Sequence, residues 1–72
     1  MRQEHVEYIT AVIGTLSLML GVSSSCIYNR INAAGIIDGY LVKCYDVLHT
    51  FSLEYVAQDI IEIMKRKGQD IC

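Results

Sequence analysis

By residue type, His49 is the best candidate in this chain for acid–base chemistry, because Cys44 and Asp46 lie close before it. A histidine beside a thiol or a carboxylate can act as the general base of a nucleophilic enzyme. On a helix, however, Cys44 falls on the apolar face and Asp46 on the opposite side. We therefore predict no catalytic residues and no enzyme, and we interpret His49 as closing a helix by donating to one of its last carbonyl groups.

The same residue types give no metal or cofactor site. His5, His49, Cys26 and Cys44 fall on separate segments, without the close pair of ligands that a structural zinc site shows. With Cys72, the cysteines number three at unrelated spacings, which does not indicate a disulfide framework. We expect reduced thiols, no metal and no cofactor.

The charge pattern disfavours nucleic acid as a partner. The net charge is −2, and the one basic run is Lys65-Arg66-Lys67. At the end of a helix, such cations complement the negative end of the helix dipole. A contact of this run with a polyanion is the alternative, and it is the weaker one because phosphate binding needs more clustered cations.

A long uncharged segment, residues 8–29, raises the question of a membrane span. Its strongly apolar part, residues 9–22, is shorter than the 20 or so residues that a bilayer requires. A signal peptide would need a basic start, whereas Glu4 and Glu7 follow Arg2. We expect a buried amphipathic helix in a cytoplasmic protein that makes no membrane contact.

The apolar residues recur at spacings of three and four, and the chain contains no proline, which predicts an all-α fold. We expect one helical domain over residues 1–72, with residues 68–72 as a frayed tail. The predicted helices form a small four-helix bundle and are numbered in chain order; they span about residues 3–20, 24–34, 38–49 and 53–67.

Residues with known capping preferences mark the ends of these helices. Gly21 should end helix 1 in a left-handed conformation, and Ser23 should cap the start of helix 2. Gly35 should end helix 2, Asp38 should cap helix 3, and Ser52 should cap helix 4.

Helix 1 has an unusual outer face. Its core face is predicted to consist of Ile9, Val12, Ile13, Leu16, Met19 and Leu20. The opposite face carries mostly small or apolar residues after Glu7. Two explanations stay open: this face meets a protein partner or a second copy of the chain, or the rest of the small domain covers it. The residues of the candidate interaction surface are Thr10, Ala11, Gly14, Ser17, Leu18 and Tyr28.

Helices 2 and 3, joined at residues 34–36, also have the outline of a helix-turn-helix. The candidate recognition helix contains Asp38 and Asp46 and offers only Lys43 to a phosphate backbone. A transcriptional regulator that binds DNA through this unit is therefore the alternative function.

The second half of the chain carries a pattern of short motifs: GIID from Gly35, YL at Tyr40, YDVLHT from Tyr45, EYV from Glu54 and DI at Asp59. This pattern resembles a family of short bacterial helical proteins, domain of unknown function 3791. Predicted helices 1 and 2 depart from it, because they carry fewer Glu and Lys residues than the family usually does.

The resemblance implies a small helical cytosolic bacterial protein. Members of the family are often encoded beside proteins that look like ADP-ribosyltransferase-type toxins, which implies an antitoxin-like or accessory binding role. No catalytic residue is implied. Within the motifs, we interpret His49, Thr50 and Ser52 as a structural joint between helices 3 and 4, so we expect function to lie in the first half of the chain. The leading hypothesis is a non-enzymatic protein-interaction module.

Overall fold

A computed structural model describes residues 2–71. These residues contain no strand, and the predicted all-α fold is confirmed. A single hydrophobic core, centred between α1 and α4, holds the helices together. The helical segments are α1 (Gln3–Leu20), α2 (Ser24–Ala33), a π-helix (Ile37–Val42), α3 (Tyr45–Leu48) and α4 (Leu53–Arg66).

The junction between α1 and α2 follows the capping residues. Gly21 has φ +68°, and its N–H donates to the carbonyl oxygen of Ser17. The Ser23 hydroxyl accepts a hydrogen bond from the N–H of Cys26 at 3.2 Å. Gly35, with φ +76°, follows the end of α2. The predicted roles of these glycines and of Ser23 are confirmed, because each cap satisfies backbone groups that a helix end leaves free.

Predicted helix 3 is not one α-helix. The chain forms a π-helix over Ile37–Val42, turns, and forms the short α3. Asp38 lies inside the π-helix instead of capping it, so the predicted cap is wrong. A π-helical turn holds one residue more than an α-turn. This wider turn brings Ile36, Ile37 and Leu41 onto the same side of the helix, where all three are buried.

The core residues of α1 are Ile9, Val12, Ile13 and Leu16, as predicted. Met19 and Leu20 were predicted to join them but are 38% and 39% exposed. Leu20 lies beside an open cleft, which it shares with Val22 and Met64. The helical period therefore gives the correct face of α1 but not the point along it where packing stops.

The core stripe of α4 is close to the prediction. Val56, Ala57, Ile60 and Met64 are buried, and Leu53 and Ile63 are half-buried against the core. α1 packs against α4, α2 and the π-helix.

The tail beyond α4 is exposed over residues 67–70 but makes two contacts with the rest of the domain. The N–H of Gln69 donates to the carbonyl oxygen of Met64 at 3.0 Å. The half-buried Ile71 side chain contacts the core. The segment predicted to fray therefore leaves the helix after Arg66, and these two contacts connect it to the rest of the domain.

The cysteines are not all reduced thiols. Cys26 forms a disulfide, whereas Cys44 is a free, half-buried thiol. Cys72 lies outside the described residues. The expectation of reduced thiols is wrong for Cys26, because spacing along the chain does not report which sulfur atoms the fold brings close together.

None of the helices within residues 2–71 is by itself long and apolar enough to cross a membrane. Only α1 and α2 taken together, with a bend of 115° between them, reach the necessary length and composition.

Candidate functional site

An open groove lies between α1 and α2, and we call it the α1/α2 groove. Its main part has a volume of about 550 Å³. A second hollow of about 260 Å³ extends it toward the π-helix. The main part is lined by Thr10, Ile13, Gly14, Ser24, Ser25, Tyr28 and Asn29. The second hollow is lined by Val6, Ile9, Thr10, Ile13, Tyr28 and Ile37.

The lining of the α1/α2 groove is uncharged. Among the described residues, no Asp, Glu, Lys or Arg side chain lines either part. Ile13 forms the buried floor, while Val6 and Tyr28 are each 46% exposed at the edges. The Thr10 hydroxyl donates to the carbonyl oxygen of Val6 at 2.8 Å, so its hydrogen is already used. Ser24, Ser25, Tyr28 and Asn29 add polar side chains to the main part. The groove therefore combines a small apolar floor with hydrogen-bonding groups, and protein interfaces show this combination.

Gly14 leaves a gap in the wall of the groove. A Cβ atom added there would meet no side chain and no backbone from another element within 4 Å. The backbone of α1 is therefore accessible from the groove, and a second helix can approach it closely.

The six residues of the candidate interaction surface do not form one patch. Thr10, Gly14 and Tyr28 line the groove. Ala11 and Leu18 lie on the exposed outer side of α1, where Leu18 is 89% exposed. The Ser17 hydroxyl donates to the carbonyl oxygen of Val22 at 2.6 Å and closes the junction between the helices. The domain therefore leaves Thr10, Ala11 and Leu18 exposed and covers Gly14 and Ser17 in part.

The joint between α3 and α4 is built by hydrogen bonds that its side chains make to the backbone. Nδ1 of His49 lies 2.7 Å from the carbonyl oxygen of Tyr45. Because a carbonyl oxygen can only accept, Nδ1 carries the proton. The Thr50 hydroxyl donates to the carbonyl oxygen of Val47, and the Ser52 hydroxyl accepts from the N–H of Tyr55.

An aromatic cluster around Tyr45 fixes α3 against α1, and the sequence did not predict it. The Tyr45 ring stacks on His49 at 4.9 Å and meets His5 and Tyr8 edge-on, at 4.7 and 5.4 Å. Such ring pairs are favourable in these geometries. Nδ1 of His5 and the hydroxyl of Tyr8 are buried and have no hydrogen-bond partner within residues 2–71. Burial, together with the neighbouring Tyr45, raises the pKa of Tyr8.

The sequence also did not predict the contact between Tyr40 of the π-helix and Asp59 of α4. The Tyr40 hydroxyl donates to Oδ2 of Asp59. Burial is the main cause that raises the pKa of Tyr40 above its ordinary value of 10.0, and the hydrogen bond and charge of Asp59 add to it. A signal was present, because Asp59 is an acidic residue directly before Ile60 in the apolar stripe of helix 4.

The family model described as "Protein of unknown function (DUF3791)" matches residues 7–67. The chain belongs to this family. The DUF3791 match spans most of the α1/α2 groove, the π-helix and the joint at His49. No curated protein and no solved structure matches the chain.

Within residues 2–71 of this DUF3791 chain, no three His, Cys, Asp or Glu side chains lie close enough together to hold a metal ion. His49 contacts Tyr45 through both its ring and Nδ1, and neither contact supplies a nucleophile. The Tyr45 cluster joins α3 to α1, and the Tyr40–Asp59 pair joins the π-helix to α4.

The raised pKa of Tyr40 predicts a loss of stability at alkaline pH. The folded chain holds the phenolic proton more tightly than the unfolded chain does, so this contribution is complete below about pH 10. As the pH rises further, the unfolded chain loses the proton first, and the free energy of unfolding falls. Urea titrations between about pH 8 and pH 11 should show this fall, and Tyr40→Phe should make it shallower. An unchanged slope in Tyr40→Phe would contradict the assignment.

Proposed function

We propose that this chain is a non-enzymatic protein-interaction module that binds another protein through the α1/α2 groove. One observation carries the proposal, namely an open and uncharged groove whose floor is Ile13 and the bare backbone at Gly14. Val6 and Tyr28 add exposed apolar surface at its edges, and protein interfaces combine such surface with polar side chains. Tyr28 at the edge supports it, because tyrosine is enriched at protein interfaces.

The narrower role that we propose is antitoxin-like, or accessory to a toxin-type protein encoded nearby in a bacterial genome. Its support is the genomic setting implied by the DUF3791 resemblance. An antitoxin that acts by binding needs an accessible surface and no catalytic residues, and the groove meets the first requirement. Self-association through the same groove is the other form of protein interaction compatible with this geometry.

The geometry supports a protein partner better than DNA. A recognition helix reads the major groove with a regular α-helix. Here the corresponding segment is a six-residue π-helix followed by the four-residue α3, and it exposes Asp38 and Asp46. No observation favours the alternative function as a transcriptional regulator.

We also propose a cytoplasmic location, which the DUF3791 resemblance supports. The disulfide at Cys26 stands against it, because disulfides are rare in the reducing cytosol. Alkylation of thiols in acid-quenched cells, followed by mass spectrometry, measures this directly. A reduced Cys26 in the cell agrees with a cytoplasmic location, and an oxidised Cys26 opposes it.

Gly14→Leu tests the interaction function, because the new side chain fills the groove. The tagged full-length chain is co-expressed with the product of the adjacent gene, and the affinity of the purified pair is measured by calorimetry. We expect Gly14→Leu to weaken binding roughly tenfold or more, a loss of at least about 1.4 kcal/mol. The free energy of unfolding should stay unchanged or rise by up to about 1 kcal/mol, because leucine favours a helix more than glycine does.

Ala33→Leu is the matched control, since it adds a side chain at an exposed position of α2 outside the groove lining. This variant should bind as the unmodified chain does. Equal binding by all three proteins would exclude the groove as the interface. The interaction function itself would be refuted if the chain bound no protein and stayed monomeric by light scattering.

A further inference from the structure

We propose that two copies of this chain form a two-fold symmetric dimer through an open cleft between the ends of α1 and α4, which we call the α1/α4 cleft. The cleft has a volume of about 490 Å³. Its apolar lining comes from Leu20, Val22, Ile61, Met64 and Ile71. None of the described residues that line it also lines the α1/α2 groove, so this inference goes beyond the proposed function.

The apolar face of α1 continues past the core at this cleft. Met19 lies two turns after Val12, on the same side of the helix. Leu20 lies one turn after Leu16, again on the same side. Val12 and Leu16 are fully buried, whereas Met19 and Leu20 are 38% and 39% exposed. The apolar surface of α1 therefore extends beyond the part that the rest of the domain covers.

The cleft also carries one side chain of each charge. Lys65 lies in the last turn of α4, and Asp70 lies in the tail beyond it. Both are exposed, and within residues 2–71 neither forms an ion pair. The ammonium group of Lys65 and the carboxylate of Asp70 are therefore both available to a partner.

These features fit a second copy of the chain. A two-fold interface brings the same patch of both copies together, so the patch must contain both halves of every contact. For charge, Lys65 of each copy can pair with Asp70 of the other. For shape, Met19 directly precedes Leu20 of the lining, and its flexible side chain can fill the cleft of the other copy. A patch with charges of one sign would instead repel its own copy.

The first test measures association of the full chain by sedimentation equilibrium over a range of protein concentrations. A monomer–dimer equilibrium is the expected result, with a dissociation constant that rises with salt because salt screens the ion pairs. Lys65→Glu would place carboxylates opposite each other at two symmetric positions. We expect it to raise the dissociation constant about tenfold or more.

A charge exchange identifies the pairing. Asp70→Lys alone should weaken the dimer as Lys65→Glu does, because it places two cations opposite each other. The double variant Lys65→Glu, Asp70→Lys exchanges the two charges and should return the dissociation constant to near that of the unmodified chain. Such a recovery would not follow from a general effect of net charge.

Lys67→Glu is the matched control. It makes the same change in net charge two positions from Lys65, and Lys67 is exposed and does not line the cleft. This variant should dimerise as the unmodified chain does. Circular dichroism should show the same helix content in all of these variants, because each of the substituted positions is exposed.

Met19→Gln tests the apolar part of the contact. Glutamine has nearly the length of methionine but carries a polar amide, so it should also raise the dissociation constant. An unchanged constant would contradict the placement of Met19 in the cleft of the other copy.

Several results would overturn the inference. It fails if the chain is a monomer at every concentration, if Lys65→Glu dimerises as Lys67→Glu does, or if the charge exchange brings no recovery. An assembly larger than a dimer would contradict the two-fold symmetry. A dimer that Gly14→Leu dissociates and Lys65→Glu does not would place the contact at the α1/α2 groove. In each case the affinity of Gly14→Leu for the product of the adjacent gene still decides separately whether the groove binds another protein.

Discussion

Replacing Leu16 with alanine should lower the free energy of unfolding by about 2 to 5 kcal/mol. Leu16 is fully buried in the packed middle of α1. The loss combines the transfer of its side chain from the core with the cavity that remains. A chain of this length has a total stability of only about 4 to 10 kcal/mol. Leu16→Ala should therefore lose a large share of the stability of the chain, which urea titration followed by circular dichroism will show.

Leu18→Ala is the matched control, because it makes the same substitution two positions away on the same helix. Leu18 is 89% exposed, and changes at such positions alter stability by no more than about 0.5 kcal/mol. A large loss in Leu18→Ala would mean that another chain covers this side of α1. Equal losses at both positions would contradict the orientation of the helix.

The helix ends that proved predictable depend on local chemistry. Ser23 accepts from the N–H three residues later, and Gly21 takes a left-handed conformation, and both properties belong to a few adjacent residues. The buried face of α1 was predictable as well, because its period is a property of one helix. These features need no knowledge of what the helix packs against.

The features that the sequence did not reveal depend on other elements. Met19 continues the apolar period of α1, but its exposure depends on where the neighbouring helices stop. The π-helix has no composition that distinguishes it from an α-helix. The alignment of the π-helix against α4 goes with the contact between Tyr40 and Asp59, which lies 19 positions later in the chain.

The candidate site likewise has a part that the sequence predicted and a part that it did not. Thr10 and Gly14 share one side of a single helix, so their stripe was visible in the sequence. Val6 and Ile37 complete the groove only because α2 bends away from α1 and the π-helix closes its far end. The Tyr45 cluster likewise joins His5 of α1 to Tyr45 and His49, which lie far from it along the chain. The periodicity within one helix does not predict such contacts between residues of different helices.

The hydrogen bond between Tyr40 and Asp59 should be measurable by a double-mutant cycle. Tyr40→Phe removes the donor, and Asp59→Asn removes the charge of the acceptor. We expect each single variant to lose about 1.5 kcal/mol of unfolding free energy, the lower end for a bond to a charged group, because the site is only partly buried. The double variant should lose less than the sum, by about 1 kcal/mol.

Tyr55→Phe is the control for removing a hydroxyl, because the Tyr55 side chain is 59% exposed and makes no hydrogen bond among the described residues. It should leave stability within about 0.5 kcal/mol of the unmodified chain. Strict additivity of Tyr40→Phe and Asp59→Asn would show that the two side chains do not interact in solution.

The cycle also bears on the groove, because Tyr40 and Ile37 belong to the same π-helix and Ile37 lines the far end of the groove. If the hydrogen bond holds this helix in register, Tyr40→Phe should increase amide hydrogen exchange across residues 37–42 and leave exchange around Gly14 unchanged. Tyr40→Phe should then weaken the contacts that a bound partner makes with Ile37 and leave its contacts around Gly14 unchanged. Faster exchange throughout α1 would instead mean that the pair stabilises the whole domain without a separate role in shaping the groove.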